Sequence, residues 1–571
     1  DMKKKDILFV LGISLVTILA LVGISYAYFS LDIQGEGKDM VVTTGELRLV
    51  FTDGDAINLE DAEPGATINK TITVENTGTD TVYYDLYWDK LENNIARNEM
   101  TIKITCESLN SSGVVSGTCE GMNTTPIKLK NILKRVRIAS GYKHKYTINV
   151  VFTDTKESQN YNKNSSFSGK LGIKENAGAD TYNCYTNKSS LTQGYKFTNG
   201  AYVYSYKQKP DHFQMENLWV NIDEDGWGVQ LANHYASSPI TDKICTTIDG
   251  KPIVATSSMF SNYSGIADIS TLDTSNVVYM DEMFYRSNVS NFDFSDFDTS
   301  NVTNMKWMFY GSGNENLDLR SFDTSNVSNM NQMFYNSYAT SLNVVGFDTS
   351  KVTDMESMFM GSKATSLDLR GFDTSRIKNM TNMFSGIAAS NLNIKYFDTS
   401  KVTNMREMFR NVNLDSLYLD NFNTSNVSNM YQMFDGATIK GDLDLSSFNT
   451  SKVTDMGWMF SGLNASSLNL SSFDTSNVTD MRLMFYQSKL SNIDLSKFNT
   501  SKVTNMSSMF RETTATTINV SSFDTSNVTD MSYMFDTSKV KVLDLSNFIL
   551  NSSVTLTNMF NNAKATTGYA K

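Results

Sequence analysis

The chain has 571 residues, of which 19% are charged, and carries a net charge of −12 with an isoelectric point near 4.9. Binding to phosphate needs basic patches, so this balance excludes nucleic acid and anionic lipid as main partners, while the length holds about two to four domains. With only 5 prolines a Pro-rich wall-spanning stalk is also excluded.

Residues 1–27 read as a signal peptide: Lys3, Lys4 and Lys5, an apolar run from Ile7 to Ile24, then Ser25-Tyr26-Ala27 with small residues where a signal peptidase cuts. Cleavage is expected after Ala27. The run is also just long enough to span a bilayer as an uncleaved anchor. No cysteine follows it, so lipid attachment is not supported.

From 28 to 178 apolar and polar residues alternate: Leu47, Leu49 and Phe51; Ile68, Ile72 and Val74; Val82, Tyr84, Leu86 and Trp88; Tyr146, Ile148, Val150 and Phe152. Period-two alternation marks strands with one buried face, and several such runs predict an antiparallel β-sandwich. The stretch from AYFS through TTGELRLVF to EPGATINKTITVENTGTD is similar to the TasA/camelysin family of secreted fibre-forming proteins. That resemblance implies strand donation between subunits. Without it the module is a spacer.

Residues 179–257, with aromatic-rich pieces such as GYKFTNGAYVYSY, form a β-rich linker or capping module. A stack of repeats needs a cap over the end of its core. Cys106, Cys119, Cys184 and Cys245 all precede the repeats. In an exported chain they predict disulfides, with three connectivities open and pairing within each module, Cys106 with Cys119 and Cys184 with Cys245, the simplest. Zinc is not expected, because no two cysteines are at CxxC spacing and His144, His212 and His234 do not cluster with them.

The region 258–571 is a repeat. Thirteen Met-Phe pairs run from Met259-Phe260 to Met559-Phe560, with the phenylalanines 24 to 26 residues apart. One coil reads LNLSSFDTSNVTDMRLMF. Leu468 and Leu470 alternate with polar neighbours as in a short strand, and Phe473 closes that segment on the same side. Val478, Met481, Met484 and Phe485 then take the spacing of one helix face, with Asp-Thr-Ser-Asn before them as a cap. The 24 methionines at two ladder positions, out of 30 in the chain, are core rather than a copper-binding or peptide-binding stripe, since they share that face with Val and Phe.

A ladder of aspartates comes after the strand, among them Asp298, Asp348 and Asp474, with Asn423, Asn449 and Asn499 in the same place. Free exchange of Asp with Asn argues for a turn or cap role and against calcium. In the later coils Asn449 pairs with Lys452, Asp474 with Asn477, Asn499 with Lys502 and Asp524 with Asn527, so local charge alternates plus, minus, plus, minus along the stack, and the strand column alternates Asp444, Asn469, Asp494 and Asn519. Opposed like charges destabilise sheet ladders, so the alternation reads as register control; a 50-residue duplication unit gives the same pattern.

The strings SNVTNM, FDTSKVTDM and DTSNVTDMSYMF at this spacing resemble the BspA-like leucine-rich-repeat surface proteins of bacteria. The fold class is then mainly β with short helices: an N-terminal antiparallel β-sandwich followed by a leucine-rich-repeat-like solenoid of strand-turn-helix coils. The resemblance implies a secreted or cell-surface protein of a Gram-positive-like bacterium that mediates adhesion, its partner a host extracellular or microbial surface protein or glycan. Self-association through the N-terminal domain, building a fibre or biofilm matrix, is the alternative.

No GxSxG elbow, HExxH, P-loop or catalytic Cys-His neighbourhood occurs. Carboxylates such as Asp318 and Asp368 are repeated along the coils, whereas a glycosidase pair is singular. Neither enzymatic activity nor a cofactor is expected. Candidate ligand-binding residues are those that interrupt the Asp/Asn/Ser monotony of the sheet face: Arg320, Arg370, Lys395, Tyr418 and Asp420.

Overall fold

The computed structural model describes residues 29–36, 39–44, 47–53, 55–156, 158–163, 165–176, 182–186, 190–208, 226–234, 239–267, 269, 271–289, 292–295, 297–565 and 567–570. The apolar run, the cleavage position after Ala27 and His212 lie outside them. Among the described residues no helix is long and apolar enough to cross a membrane. The chain divides into two compact units, one of residues up to 127 with 131–177, the other of 128–130 with 178 onward.

The first unit is built from β1 (Phe29–Glu36), β2 (Asp39–Thr44), β3 (Leu47–Thr52), β4 (Asp55–Ala62), β5 (Thr67–Asn76), β6 (Val82–Asn93), β7 (Met100–Leu109), β8 (Val115–Thr118), β9 (Met122–Pro126), β10 (Asn131–Ile138), β11 (Lys143–Phe152) and β12 (Ser166–Glu175). They form a five-stranded sheet in the order β10-β6-β12-β1-β4 and a second in the order β2-β3-β5-β11-β7-β8, with β9 also on β7. Every pairing is antiparallel except β1 on β12. Alternation sends Tyr84, Leu86 and Trp88 from one sheet and Ile72, Val74, Ile148 and Val150 from the other into a single buried cluster. Beside it Glu99 is buried and accepts hydrogen bonds from the Tyr161 hydroxyl, from Gln159 Nε2 at 2.6 Å and from Asn162 Nδ2 at 2.7 Å. Burial pushes its carboxyl pKa up in spite of those donors.

The second unit opens with β13 (Asn183–Cys184), β14 (Lys196–Asn199), β15 (Tyr202–Gln208), β16 (Trp227–His234), β17 (Thr247–Ile248) and β18 (Lys251–Ala255), in one sheet of order β13-β17-β18-β16-β15-β14. Tyr202, Tyr204, Tyr206 and Val229 of this sheet share one buried cluster with the Met and Phe of the coils. The chain passes from β18 straight into the stack: Val278 N donates to Val254 O at 2.8 Å, and Ala255 bridges Tyr279 in parallel.

Beyond β18 the chain winds into a β-solenoid of about 12 turns, mainly β. Strands of two to four residues pair in parallel from coil to coil, as Asn316–Asp318 with Ser341–Asn343 and Leu443–Asp444 with Leu468–Asn469. A second parallel ladder runs through the Asx before the first Met of each coil, from Asn379 to Asn404, Asn429, Asp455, Asp480, Asn505 and Asp530. Inside, phenylalanines stack face to face: Phe309 on Phe334 at 5.7 Å and Phe334 on Phe359 at 5.5 Å between centroids. The methionines beside them are buried.

The helix expected over Val-x-x-Met-x-x-Met-Phe does not form. Each such segment is a run of overlapping turns instead, and the backbone hydrogen bonds show why. Met333 N, Tyr335 N and Ser337 N donate three residues back, to Met330 O, Gln332 O and Phe334 O. The amides between them reach the next coil: Gln332 N to Glu356 O at 3.1 Å, Phe334 N to Met358 O at 2.9 Å and Asn336 N to Met360 O at 2.7 Å. A helix would spend every amide within its own turn, leaving nothing to bind coil to coil. Sharing them forces the backbone into the left-handed region twice per coil, at Trp307 (φ 59°) and Gly311 (φ 58°), or Gln332 (φ 53°) and Asn336 (φ 49°).

A buried threonine clasps each coil to the next. Thr500 Oγ1 donates to Asp524 O at 2.8 Å and accepts from Asp524 N at 2.8 Å, and Thr324 does the same with Asp348.

Candidate functional site

The Asp/Asn ladder after each strand makes turns. Asp298 Oδ1 accepts from Ser300 N at 3.0 Å and Asn499 Oδ1 from Ser501 N at 3.1 Å, so carboxylate and amide serve alike. These oxygens are spent on backbone amides.

By the 25-residue register, Arg320, Arg370, Lys395 and Asp420 share one column of the strand face, and Tyr418 stands in the adjacent column with Asp318 and Asp368. The two arginines turn back onto their own coils. Arg320 grips Asp318 at 2.6 Å (Nη2–Oδ2) and 2.9 Å (Nε–Oδ1), and Arg370 Nη2 lies 2.8 Å from Asp368 Oδ2. Lys395 Nζ sits 4.8 Å from the Tyr396 ring centroid. Tyr418 is 70% exposed and Asp420 is exposed. The column therefore offers two neutralised guanidinium groups, one ammonium and one exposed carboxylate, with the exposed Tyr418 ring in the column beside it. Beyond it the alternating residues bond across coils: Lys452 Nζ to Asn426 Oδ1 at 2.7 Å, Lys502 Nζ to Asn477 Oδ1 at 2.7 Å, and Asn469 Nδ2 to Asp444 Oδ1 at 2.8 Å. These Lys and Asn side chains donate to amide and carboxylate oxygens of the preceding coil.

The sequence reading missed a second surface, the edge around each Met-Phe pair. Tyr285, Tyr310 and Tyr335 form a column with centroids 4.9 and 4.5 Å apart, half-buried, with the Arg286 guanidinium 5.2 Å from the first ring and Lys306 Nζ 4.2 Å from the Trp307 ring. Farther along, Arg406 lies 5.2 Å from the Tyr431 ring and Trp458 meets Tyr486 edge to face at 5.9 Å. The edge is framed by the left-handed residues, Trp307 and Gly311 in one coil, Gln332 and Asn336 in the next. The signal was present: Gly or Asn recurs two residues after the Phe at Gly311, Asn336, Gly361, Gly386, Asn411, Gly436 and Gly462, residue types that tolerate positive φ.

In the first unit a disulfide joins Cys106 to Cys119, and in the second another joins Cys184 to Cys245. The expectation that histidine stands apart from the cysteines is corrected. Pairing of β7 with β11 carries His144 to the first disulfide, where a ring nitrogen and the two Sγ atoms lie within 4.8 Å of one another. Strand pairing brings together residues far apart in sequence, which spacing alone does not report.

A sequence family described as "Mycoplasma protein of unknown function, DUF285" matches residues 254–371, 337–415, 361–471 and 460–570, which together span the solenoid. No curated protein matches the chain.

Proposed function

The chain belongs to the DUF285 family, and from that premise we propose that it is a secreted or cell-surface repeat protein of BspA-like type whose solenoid serves adhesion. Its partner would be a host extracellular or microbial surface protein or glycan, held by binding and not turned over. One observation carries this reading. The coil core is fixed by buried Met, Phe and Thr and by backbone bonds between coils, so the partly exposed positions outside it need not supply the core. On the Met-Phe edge those positions hold tyrosine, tryptophan and arginine, the residue types that dominate binding hot spots. Repetition then presents them on a rigid scaffold, which lowers the entropy lost on binding.

The test is a pull-down with the full chain against extracellular-matrix and microbial-surface extracts. Alanine at Arg320, Arg370, Lys395, Tyr418 and Asp420 probes the strand face, and serine at Tyr285, Trp307, Tyr310 and Tyr335 probes the edge. Loss of capture in either set supports the reading and says which face is used. Capture of nothing by the parent chain, or capture that both sets leave intact, rejects it.

A structural role, in which a TasA-like N-terminal sandwich builds fibres, is the second reading. It draws on one feature: β2 is the last strand of its sheet and its outer edge pairs with no strand among the described residues, as acceptance of a donated strand requires. Electron microscopy of the purified chain that shows filaments supports it; dispersed particles at all concentrations reject it.

A further inference from the structure

Cys106 lies on β7 and His144 on the adjoining β11. The register sets Cys106 opposite Tyr146 and Ser108 opposite His144, so Cys106 and His144 are diagonal neighbours on one sheet face. Cys119 comes directly after β8, which pairs with the other side of β7. Cys106 and His144 are buried, at 6% and 4% exposure, and Cys119 is half-buried. The Tyr84 hydroxyl meets His144 Nδ1 at 2.9 Å and is itself fixed by the Tyr146 hydroxyl at 2.6 Å. In the tautomer in which Nδ1–H donates to the Tyr84 oxygen, Nε2 carries the lone pair, and a ring held through its other nitrogen is the usual state of a histidine that ligates metal.

We propose that Cys106, Cys119 and His144 are a redox-gated site for a thiophilic metal ion, Zn2+ above all. Two thiolates and an imidazole are a donor set that suits Zn2+ and not the hard ions. Zn–S bonds of about 2.3 Å at tetrahedral angles separate two sulfurs by about 3.8 Å, so the two sulfurs, bonded to each other while oxidised, must move apart by side-chain rotation between Cα atoms that stand 5.0 Å apart. The disulfide closes the site. A dithiol reductant opens it: two electrons and two protons pass to the Sγ–Sγ bond, two thiols form, and the reductant becomes a disulfide. Zn2+ then displaces the two thiol protons to solvent, and water, entering from the half-buried Cys119 side, completes a tetrahedron. The second disulfide is different in kind. Asn199 Nδ2 lies 3.2 Å from Cys245 Sγ and 3.6 Å from Cys184 Sγ, and no third His, Cys, Asp or Glu joins them among the described residues.

The full chain, reduced with a phosphine, freed of it and kept anaerobic, is titrated with Co2+ alone. One equivalent should give thiolate-to-cobalt charge-transfer absorption and the visible bands of a tetrahedral site, bleached by Zn2+ and absent from the oxidised chain. Cys119→Ser and His144→Gln should each abolish the absorption, while a Cys184→Ser/Cys245→Ser double variant keeps it. Amide exchange over β7 and β11 checks that each variant is folded; should H144Q fail that check, the partly exposed Cys119 position decides. A reduced parent chain without the absorption, a signal that survives in C119S, or one lost in the Cys184/Cys245 double variant overturns the site.

Discussion

Replacing Thr500 by valine tests whether the coils are held by the hydroxyl clasp or by apolar stacking alone. Valine matches threonine in shape, so the change removes two hydrogen bonds with little change in packing: Thr500 Oγ1 to Asp524 O and Asp524 N to Thr500 Oγ1, each 2.8 Å. A net hydrogen bond contributes about 0.5–1.5 kcal/mol, and a buried amide left without a partner pushes the loss to the upper end. Thr500 is fully buried and Asp524 half-buried, so the expected loss is about 1–3 kcal/mol. Each repeat contacts only its neighbours, so the loss should stay local. In hydrogen exchange read by mass spectrometry, peptides around 498–526 should exchange about 5- to 150-fold faster, whereas β5 keeps its rate. Thr500→Ser retains the hydroxyl and should behave nearly as the parent. Equal protection in the valine and parent chains would refute the clasp, as would a serine variant as weak as the valine one.

Phe409 is fully buried between Phe384 and Phe434, with centroids 5.9 and 5.6 Å away; Phe409→Ala should cost about 3–5 kcal/mol, read as new protease cleavage in the coils on either side. At Gly361 φ is +66° and an added Cβ would lie 2.0 Å from Asn336 Oδ1, so Gly361→Ala should lower the melting temperature, by strain of about 1–2 kcal/mol; an unchanged melt denies the left-handed turn. For Glu99 the folded carboxyl is raised above 4.5 by burial, so the folded state holds its proton longer than the unfolded chain does. Stability of the first unit should therefore fall as pH rises from about 4.5 through that raised value and level off above it. Glu99→Gln should flatten this slope in denaturant melts run across pH, and an identical slope in both chains would locate the titration elsewhere.

Some of this was legible in one coil of sequence. The 25-residue period and the inward side of Leu468, Met481, Met484 and Phe485 come from composition and spacing, because a side chain with no polar atom must find the interior whatever backbone carries it. The exchange of Asp with Asn announced a turn, since both present the same oxygen to an amide two residues on. The helix was the misreading. The positions i, i+3, i+6 and i+7 fit a helix face, yet overlapping turns place the same residues inward and release half the amides to the neighbouring coil, a benefit that exists only where a neighbouring coil lies in place. The Tyr285, Tyr310 and Tyr335 column was missed for the same reason: with this segment read as a helix, the left-handed turns that Gly311 and Asn336 mark went unread, and the rings meet only through stacking.

By itself, then, the amino-acid order determined that this protein repeats, which residues it hides and where the Asp/Asn turns fall, because burial and local hydrogen bonding act over a few residues. Tertiary structure alone decided the backbone of the Met-Phe segment, the aromatic edge and the approach of His144 to Cys106 and Cys119, because each depends on backbone hydrogen bonds between segments distant along the chain.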